Sequence, residues 1–116
     1  IYVGGAAGAH VRKGDLLATV DSADEVLSVA GRFIQYYREN AQWLERTYAF
    51  VPRIGLDRLQ DLLIRDEENL VSGLDERVEI AVAGYRDPWL DRSDPKSPAQ
   101  FAPSLPLLPL PQVPVR

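Results

Sequence analysis

The 116-residue sequence predicts an α+β fold that is mostly helical, and three observations favour this class. A capped amphipathic stretch over residues 22–48 predicts one long helix, and two shorter stretches of helical periodicity follow it. Two short apolar runs near the start predict one or two strands. A proline-rich stretch closes the sequence and predicts an irregular, extended tail. We therefore expect strands and a glycine-rich loop over residues 1–20, helices over 21–90 and the tail over 91–116.

The two predicted strands cover residues 1–3 and 16–20, and a loop of small residues follows the first of them. Gly14 and Asp15 provide a turn signal just before the second strand. An isolated two-stranded pair is only marginally stable in water. We therefore expect the partners of these strands to lie outside this sequence.

The long predicted helix begins with a capping box, in which the Ser22 hydroxyl accepts from the helix and Glu25 reaches back to the Ser22 amide. Apolar residues at steps of three and four then form one stripe. The stripe comprises Val26, Val29, Ala30, Phe33, Tyr37, Ala41, Leu44, Tyr48 and Val51. Pro52 and Gly55 end the stretch. A helix of this length spans roughly 40 Å, more than the ~30 Å of a small domain, so we expect it to lie along a larger body.

Two shorter helices are predicted next. Asp57 is a candidate cap for a helix that ends near residue 64, and residues 65–68 begin another that runs to about residue 83. Regular structure then ends at Asp87 and Pro88, with residues 89–90 as a candidate anchor onto the helices. Residues 111–116 fit a PxxPxR ligand of an SH3 domain, although proline-rich composition alone explains this match.

Composition excludes several classes of function. A net charge of −4 argues against a nucleic-acid-binding surface. The sequence has no cysteine, so it provides no disulfide, thiolate metal site or iron–sulfur ligand. No apolar run reaches the length of a membrane span, which favours a cytoplasmic protein with no membrane partner. The sequence lacks methionine, so we expect it to be part of a longer polypeptide.

The glycine-rich loop is the main candidate for a binding site. Gly4, Gly5 and Gly8 allow the backbone to approach a ligand and to direct amides at an anion, with Arg12 available to pair with carboxylate or phosphate. The loop is neither a P-loop nor a dinucleotide fingerprint, and a tight connection between strands is the competing interpretation. His10 is the single histidine and a candidate proton donor, although solvation alone explains it.

Three stretches of the sequence carry a family resemblance. Residues 1–17, IYVGGAAGAHVRKGDLL, resemble a siroheme-side loop of the nitrite/sulfite reductase fold. Residues 33–48, FIQYYRENAQWLERTY, and 51–56, VPRIGL, resemble the C-terminal region of the large subunit of NAD(P)H-dependent assimilatory nitrite reductases. The resemblance covers roughly residues 1–89 and leaves out the proline-rich tail.

The resemblance implies an enzyme that reduces nitrite to ammonium by six electrons. Electrons would pass from NAD(P)H through FAD and a [4Fe–4S] cluster to siroheme. It also implies that residues 1–20 end a siroheme-binding half-domain, that the cluster cysteines lie upstream, and that this segment is inactive alone. The rest of the large subunit and a small Rieske-like subunit are the implied partners.

Site residues are carried over only where the loop matches the family pattern. The family commonly has Asn-Gly-Gly after the first two glycines, and here Ala6, Ala7 and Gly8 stand there. A siroheme-contacting role is therefore implied for Gly4, Gly5, Gly8 and Arg12. Amides and Arg12 would offset part of the negative charge of the siroheme carboxylates. No catalytic or metal-binding residue is implied.

Two other functions compete with this interpretation. The same loop suits a sulfite reductase, although the continuation over residues 44–56 favours nitrite. A helical interaction module without enzymatic activity, whose apolar stripe binds a partner helix, is the third alternative.

Overall fold

The structure is a computed structural model that describes residues 1–87 and residue 90. The chain divides into a unit of Ile1–Gly84 and a second unit of Tyr85–Arg116. The predicted proline-rich tail, the SH3-ligand motif and the Trp89 anchor lie outside the described residues. The predicted class, α+β and mostly helical, is confirmed for the first unit.

The first unit contains four short strands followed by four helices. The strands are β1 Tyr2–Val3, β2 Ala6–Ala7, β3 Val11–Arg12 and β4 Asp15–Leu16. The helices are α1 Ala23–Asn40, α2 Thr47–Ile54, α3 Leu56–Leu63 and α4 Val71–Gly84. No helix in the described ranges has both the length and the hydropathy of a membrane-spanning segment.

The four strands form one interrupted antiparallel hairpin. β1 pairs with β4, and β2 pairs with β3 further out. The residue numbers of every pair add to 18, so the same register continues through the interruption and no residue is bulged out. The expectation that these strands lack partners within the chain is therefore wrong, because each strand pairs with another segment of the same hairpin.

Helix α3 supports the base of this hairpin. The side-chain Nε2 atom of Gln60 donates to the backbone carbonyls of Leu16 and Leu17, both at 3.2 Å. The Leu17 amide donates to the Ile1 carbonyl at 2.9 Å, which extends the ladder beyond β1. The side chain of Leu17 is 1% exposed and packs in the helical core. The two-stranded pair therefore gains from α3 the support that it would lack in isolation.

The hairpin also contacts α2 closely at Gly4. Gly4 is buried and has a φ of +71°, a conformation that side chains other than glycine rarely adopt. A Cβ built on Gly4 would lie 2.9 Å from the Cβ and Cγ2 atoms of Val51. Only a glycine allows the chain to turn here while it lies against the helix.

The N-terminus of α1 confirms part of the predicted capping box. The Ser22 hydroxyl accepts from the Glu25 amide at 3.2 Å, as predicted. The Glu25 carboxylate, however, accepts from the Asp21 amide at 2.9 Å and not from Ser22. Asp24 and Glu25 lie in the first turn, where their charge is favourable to the helix dipole.

The predicted long helix is wrong in its extent, because the stretch breaks into α1 and α2. Ala41 has a ψ of 144°, which is extended, and Leu44 has a positive φ of 59°. At 18 residues, α1 spans roughly 27 Å and fits within a small domain. Pro52 lies inside α2 and does not end it, while Gly55 does.

The linker of residues 41–46 is held by Glu45, whose side chain is 8% exposed. Arg53 donates to both Glu45 carboxylate oxygens, at 2.6 and 2.7 Å, and the Gln42 amide donates to one of them at 2.9 Å. The Tyr37 hydroxyl donates to the Glu45 carbonyl. These contacts replace the helical hydrogen bonds that the break removes.

The break between α1 and α2 places Phe50 in the core. Its ring is fully buried and makes edge-to-face contacts with Phe33, Tyr36 and Tyr37 at centroid distances of 6.5, 6.2 and 5.1 Å. The Arg53 guanidinium carbon lies 5.3 Å from the ring centroid. The buried core comprises Val3, Leu17, Val29, Phe33, Phe50, Val51, Leu59, Leu62, Leu63 and Leu74.

The predicted apolar stripe is only partly buried. Val29, Phe33 and Val51 lie in the core, whereas Val26, Leu44 and Tyr48 are exposed. The stripe is wrong at Leu44 and Tyr48 because α1 ends before Ala41, so the residues after the break no longer continue its buried face. Val26 lies near the start of α1, before the break, and is exposed there.

The later helices start at other residues than predicted. Gly55 is the N-cap residue of α3, and Asp57 lies in the first turn without capping it. The charged residues 65–68 precede α4 and are not part of it. Asp66 has a positive φ of 54°, and its carboxylate accepts from the Val71 amide at 3.0 Å at the start of α4.

Helix α4 packs on α1 around a glycine. A Cβ on Gly31 would lie 3.2 Å from Val78 Cγ1, so the absent side chain permits the close approach. Arg32 donates to both carboxylate oxygens of Asp75 at 2.7 Å, and Arg77 donates to Glu39 at 2.6 Å. Two bridged pairs therefore flank the point of contact.

We predict that Gly4→Ala destabilises the chain. The substitution places a side chain at a positive φ and against Val51, which together cost about 2 kcal/mol or more in free energy of unfolding. Urea unfolding of the full chain measures this. Gly8→Ala is the matched control, since a Cβ there meets no atom within 4 Å. Equal stability of both variants would contradict the role of Gly4.

We also predict that Glu45 makes stability depend on pH. The hydrogen bonds from Arg53 lower the pKa of Glu45 from its usual 4.5 to about 2. Since the folded pKa is depressed, this stabilisation is complete above pH 4.5 and is lost as the pH falls towards 2. Melting temperatures measured across this range are expected to fall less steeply for Glu45→Gln than for the wild type. Glu76→Gln, at an exposed position on α4, is the control substitution, and an equal flattening of the slope in both variants would contradict the role of Glu45.

Candidate functional site

The candidate site is the outer half of the hairpin, from Gly4 to Gly14. The strand ladder is interrupted where Gly4 and Gly5 face Lys13 and Gly14. A buried carbonyl that leaves a ladder needs another donor. The Gly4 carbonyl receives one from the Arg12 side chain, whose Nη1 atom donates at 2.6 Å.

The Arg12 side chain, on the opposite strand, also bonds to other groups beside this interruption of the ladder. Its Nη2 atom donates to the Asp15 carboxylate at 2.5 Å, and Nη1 makes a longer contact of 3.4 Å with the Lys13 carbonyl. The side chains of Arg12 and Asp15 are 30% and 33% exposed. The guanidinium is therefore a fixed positive charge at the base of the outer hairpin, partly offset by one carboxylate.

The tip of the hairpin carries open amides. Residues 8–10 connect β2 to β3, and all three are exposed. Among the described residues, no backbone hydrogen bond uses the amides of Gly8, Ala9 or His10. Three successive unpaired N–H groups next to small side chains form a surface that an anionic group can approach. A Cβ on Gly8 would meet no atom within 4 Å, so nothing in the described chain covers this position.

The predicted site residues do not all have the same role. Gly5 and Gly8 are exposed on the outer hairpin, where a ligand has access to their backbone. Gly4 is buried against Val51, and its glycine character is explained by packing. Arg12 is held by Gly4 and Asp15 at the hairpin base. The structure thus brings all four residues into one hairpin, where Gly5 and Gly8 are exposed, Arg12 is partly exposed and Gly4 is buried.

Sequence reasoning missed two features of this hairpin. Asp15 was assigned to a turn signal, yet it holds Arg12; its spacing of three residues from Arg12 was the available clue. Val11 is 84% exposed beside the tip, and it pairs with Ala7 across the hairpin. The outer hairpin therefore combines open amides at its end with small apolar side chains along its strands.

The described residues do not provide a metal or cluster site. The sequence contains no cysteine, and the described residues hold no group of three His, Cys, Asp or Glu side chains that could bind a metal ion. The chain therefore does not fit the ligand set of an iron–sulfur cluster, which requires thiolates. The exposed backbone amides at the tip are donors that a carboxylate-bearing group could approach.

Comparisons with known proteins identify the family. Residues 1–70 match the family model described as the nitrite and sulphite reductase 4Fe-4S domain. The chain is 44% identical over 91 residues to "Nitrite reductase [NAD(P)H]" of Bacillus subtilis, a match that covers 78% of this chain and 11% of that protein. No solved structure matches the chain.

Two further relatives are similar over shorter or more divergent stretches. The "Assimilatory nitrate reductase electron transfer subunit" of Bacillus subtilis is 30% identical over 91 residues, which cover 78% of this chain and 12% of that protein. "Sulfite reductase, assimilatory-type" of Nitratidesulfovibrio vulgaris is 33% identical over 64 residues, or 55% of this chain and 29% of that protein.

The chain spans about a tenth of the length of the two Bacillus relatives. The family match covers more than half of the chain and includes the whole hairpin and the first three helices. The chain therefore belongs to the nitrite and sulphite reductase 4Fe-4S domain family.

Proposed function

We propose that this chain is a segment of the large subunit of an NAD(P)H-dependent assimilatory nitrite reductase. The enzyme would reduce nitrite to ammonium with electrons from NAD(P)H, passed through FAD and a [4Fe–4S] cluster to siroheme. Identity of 44% to a nitrite reductase supports this reaction. Within the enzyme, residues 1–20 would line the siroheme pocket, and the helices that follow would close the domain. The segment alone would be inactive.

The observation that carries the proposal is the row of open amides at the hairpin tip. Siroheme is a tetrapyrrole whose edge bears carboxylates. Backbone N–H groups that are already free of other partners lose no hydrogen bond when they donate to such an anion. A hairpin fixed at its base by Gly4 and Arg12 also holds these amides in place before the cofactor binds, which lowers the entropic cost of binding.

The residues of this chain would bind and position the cofactor. Siroheme supplies the iron at which nitrite is reduced. The amides of Gly8, Ala9 and His10 would hold a carboxylate, Gly5 and Gly8 would allow close approach of the macrocycle edge, and Arg12 would contribute positive charge from the hairpin base. This assignment is electrostatic and steric, and it gives none of these residues a part in the transfer of electrons or protons.

The other cofactors would lie elsewhere in the polypeptide. Since no thiolate is present, the cluster ligands must come from residues outside this chain. We likewise place FAD and the NAD(P)H site in the remainder of the large subunit. We also propose that the large subunit binds a small Rieske-like subunit and that the enzyme is cytoplasmic, as the resemblance implies.

Sulfite reduction is the second candidate reaction. It is favoured by the sulfite reductase relative, which is 33% identical over 64 residues. The nitrite reductase match is longer and closer, at 44% over 91 residues, and extends through the helices. Turnover of the intact enzyme with nitrite or sulfite as electron acceptor separates the two.

We predict that Gly8→Val in the intact enzyme weakens the retention of siroheme without unfolding the hairpin. Gly8 has no left-handed φ and a Cβ there meets nothing within the chain, so the free energy of unfolding should change by less than about 0.5 kcal/mol. Valine keeps the backbone amide, but its side chain would block the approach of a carboxylate to it, and the loss of one such contact corresponds to roughly tenfold weaker binding. Siroheme absorbance per polypeptide and nitrite turnover measure the effect.

Gly84→Val is the matched control for this experiment. A Cβ on Gly84 also meets no atom within 4 Å, but Gly84 lies at the end of α4 and outside the hairpin. We expect wild-type siroheme content in this control. Wild-type content and turnover in Gly8→Val would remove the hairpin tip from the siroheme site.

We predict that Arg12→Ala in the intact enzyme lowers siroheme occupancy, while Asp15→Ala does not. Arg12→Ala removes a positive charge, whereas Asp15→Ala removes its counter-charge and leaves the bond from Arg12 to the Gly4 carbonyl. Arg12→Lys keeps the charge and should restore part of the occupancy. Equal loss of siroheme in the Arg12→Ala and Asp15→Ala variants would assign Arg12 a structural role alone.

A further inference from the structure

The linker between α1 and α2 displays two large apolar side chains to solvent. Trp43 is 91% exposed and Leu44 is 79% exposed. Tryptophan is one of the residues that proteins most often bury in the centre of an interface. We call this pair the linker knob, and the site described above does not use it.

The linker knob is held in a fixed conformation and is not a loose loop. Its anchor is Glu45, which is 8% exposed and receives hydrogen bonds from Arg53 and from the Gln42 amide. Leu44 has a φ of 59°, and a non-glycine residue at positive φ costs of order 1 kcal/mol. The surrounding contacts therefore hold the backbone in a strained conformation, and in this conformation both apolar side chains are exposed to solvent.

The surface around the linker knob is positively charged. Arg38 and Arg46 are exposed and line the same concavity of about 490 Å³ as Trp43 and Leu44. In the described part of the chain, neither arginine forms an ion pair. The complementary surface is therefore an apolar pocket with an acidic rim.

We propose that the linker knob docks into an apolar, acid-rimmed pocket on the remainder of the same polypeptide. This inference rests on the proposed function in one respect, namely that the chain is a segment of a longer enzyme. The two Bacillus relatives are about eight to nine times as long as the matched stretch, so most of their surface lies outside it. A covalently attached surface is present at an effective concentration in the millimolar range, which favours it over a separate molecule.

Charge argues against a second copy as the occupant. In a two-fold symmetric contact centred on the linker knob, the knob would face its own equivalent, and Arg38 and Arg46 would lie close to the same residues of the second copy. Like charges at an interface are unfavourable. The rigid anchor at Glu45 also reduces the ordering cost of docking, as expected of a preorganised contact.

The test is photo-cross-linking in the intact enzyme with p-benzoylphenylalanine in place of Trp43. We expect a cross-link within the same polypeptide, to sequence outside the matched segment, identified by mass spectrometry. The same amino acid at Ile34, an exposed position on α1, is the control for proximity that is not specific to the linker knob. A cross-link to a second copy or to a separate protein, or the absence of any cross-link, would overturn the proposal.

A second measurement needs no substitution. Hydroxyl-radical oxidation of wild-type Trp43 should be roughly tenfold slower in the native intact enzyme than in urea, because docking excludes water from a buried anchor. Equal rates would overturn the proposal even if the cross-linking variant fails to fold. Both readouts are independent of nitrite turnover. If the enzyme reduces nitrite and Trp43 is not protected, the docking proposal alone is contradicted. If Trp43 is protected and the enzyme is inactive with nitrite, the proposed function alone is contradicted.

Discussion

The contact between the Gly4 backbone and Val51 fixes the direction in which the hairpin leaves the helices. Gly4 is buried at a positive φ, and because it has no side chain its backbone can approach Val51 of α2 more closely than any other residue could. The break in the ladder at Gly4 frees a carbonyl, and Arg12 binds it. The inner half of the hairpin is thus part of the core, while the outer half projects with its amides free. One close contact therefore separates a structural half from a half available for binding.

The class of the fold could be predicted from the sequence because it depends on local patterns. Short apolar runs, helical periodicity and the Ser22 cap each depend only on residues that are close together in the sequence. The break at Ala41 could not be predicted in this way, since no glycine or proline lies between Gly31 and Pro52. The break depends on contacts between distant residues, chiefly Glu45 with Arg53 and the burial of Phe50 among three aromatic rings. A stripe drawn for a straight helix consequently omitted Phe50 and included Leu44 and Tyr48, which are exposed.

The sequence predicted which residues form the candidate site, but it did not predict the separate role of each residue. A cluster of glycines with an arginine nearby indicated close backbone approach and positive charge, and all of these residues lie in one hairpin. The sequence could not show that the strands pair with each other, that Gly4 is buried, or that Asp15 already holds Arg12. Each of these facts depends on register or on packing against α2. The resemblance of residues 1–17, 33–48 and 51–56 indicated the family, and the match over residues 1–70 confirms it.

The central claim is that the hairpin tip binds a carboxylate of siroheme in an intact nitrite reductase. An experimental structure of the intact enzyme with siroheme bound tests this most directly. We predict that at least one amide nitrogen of Gly8, Ala9 or His10 lies within about 3.2 Å of a siroheme carboxylate oxygen. A structure in which siroheme is bound and the hairpin tip faces bulk solvent or another protein surface would contradict the account.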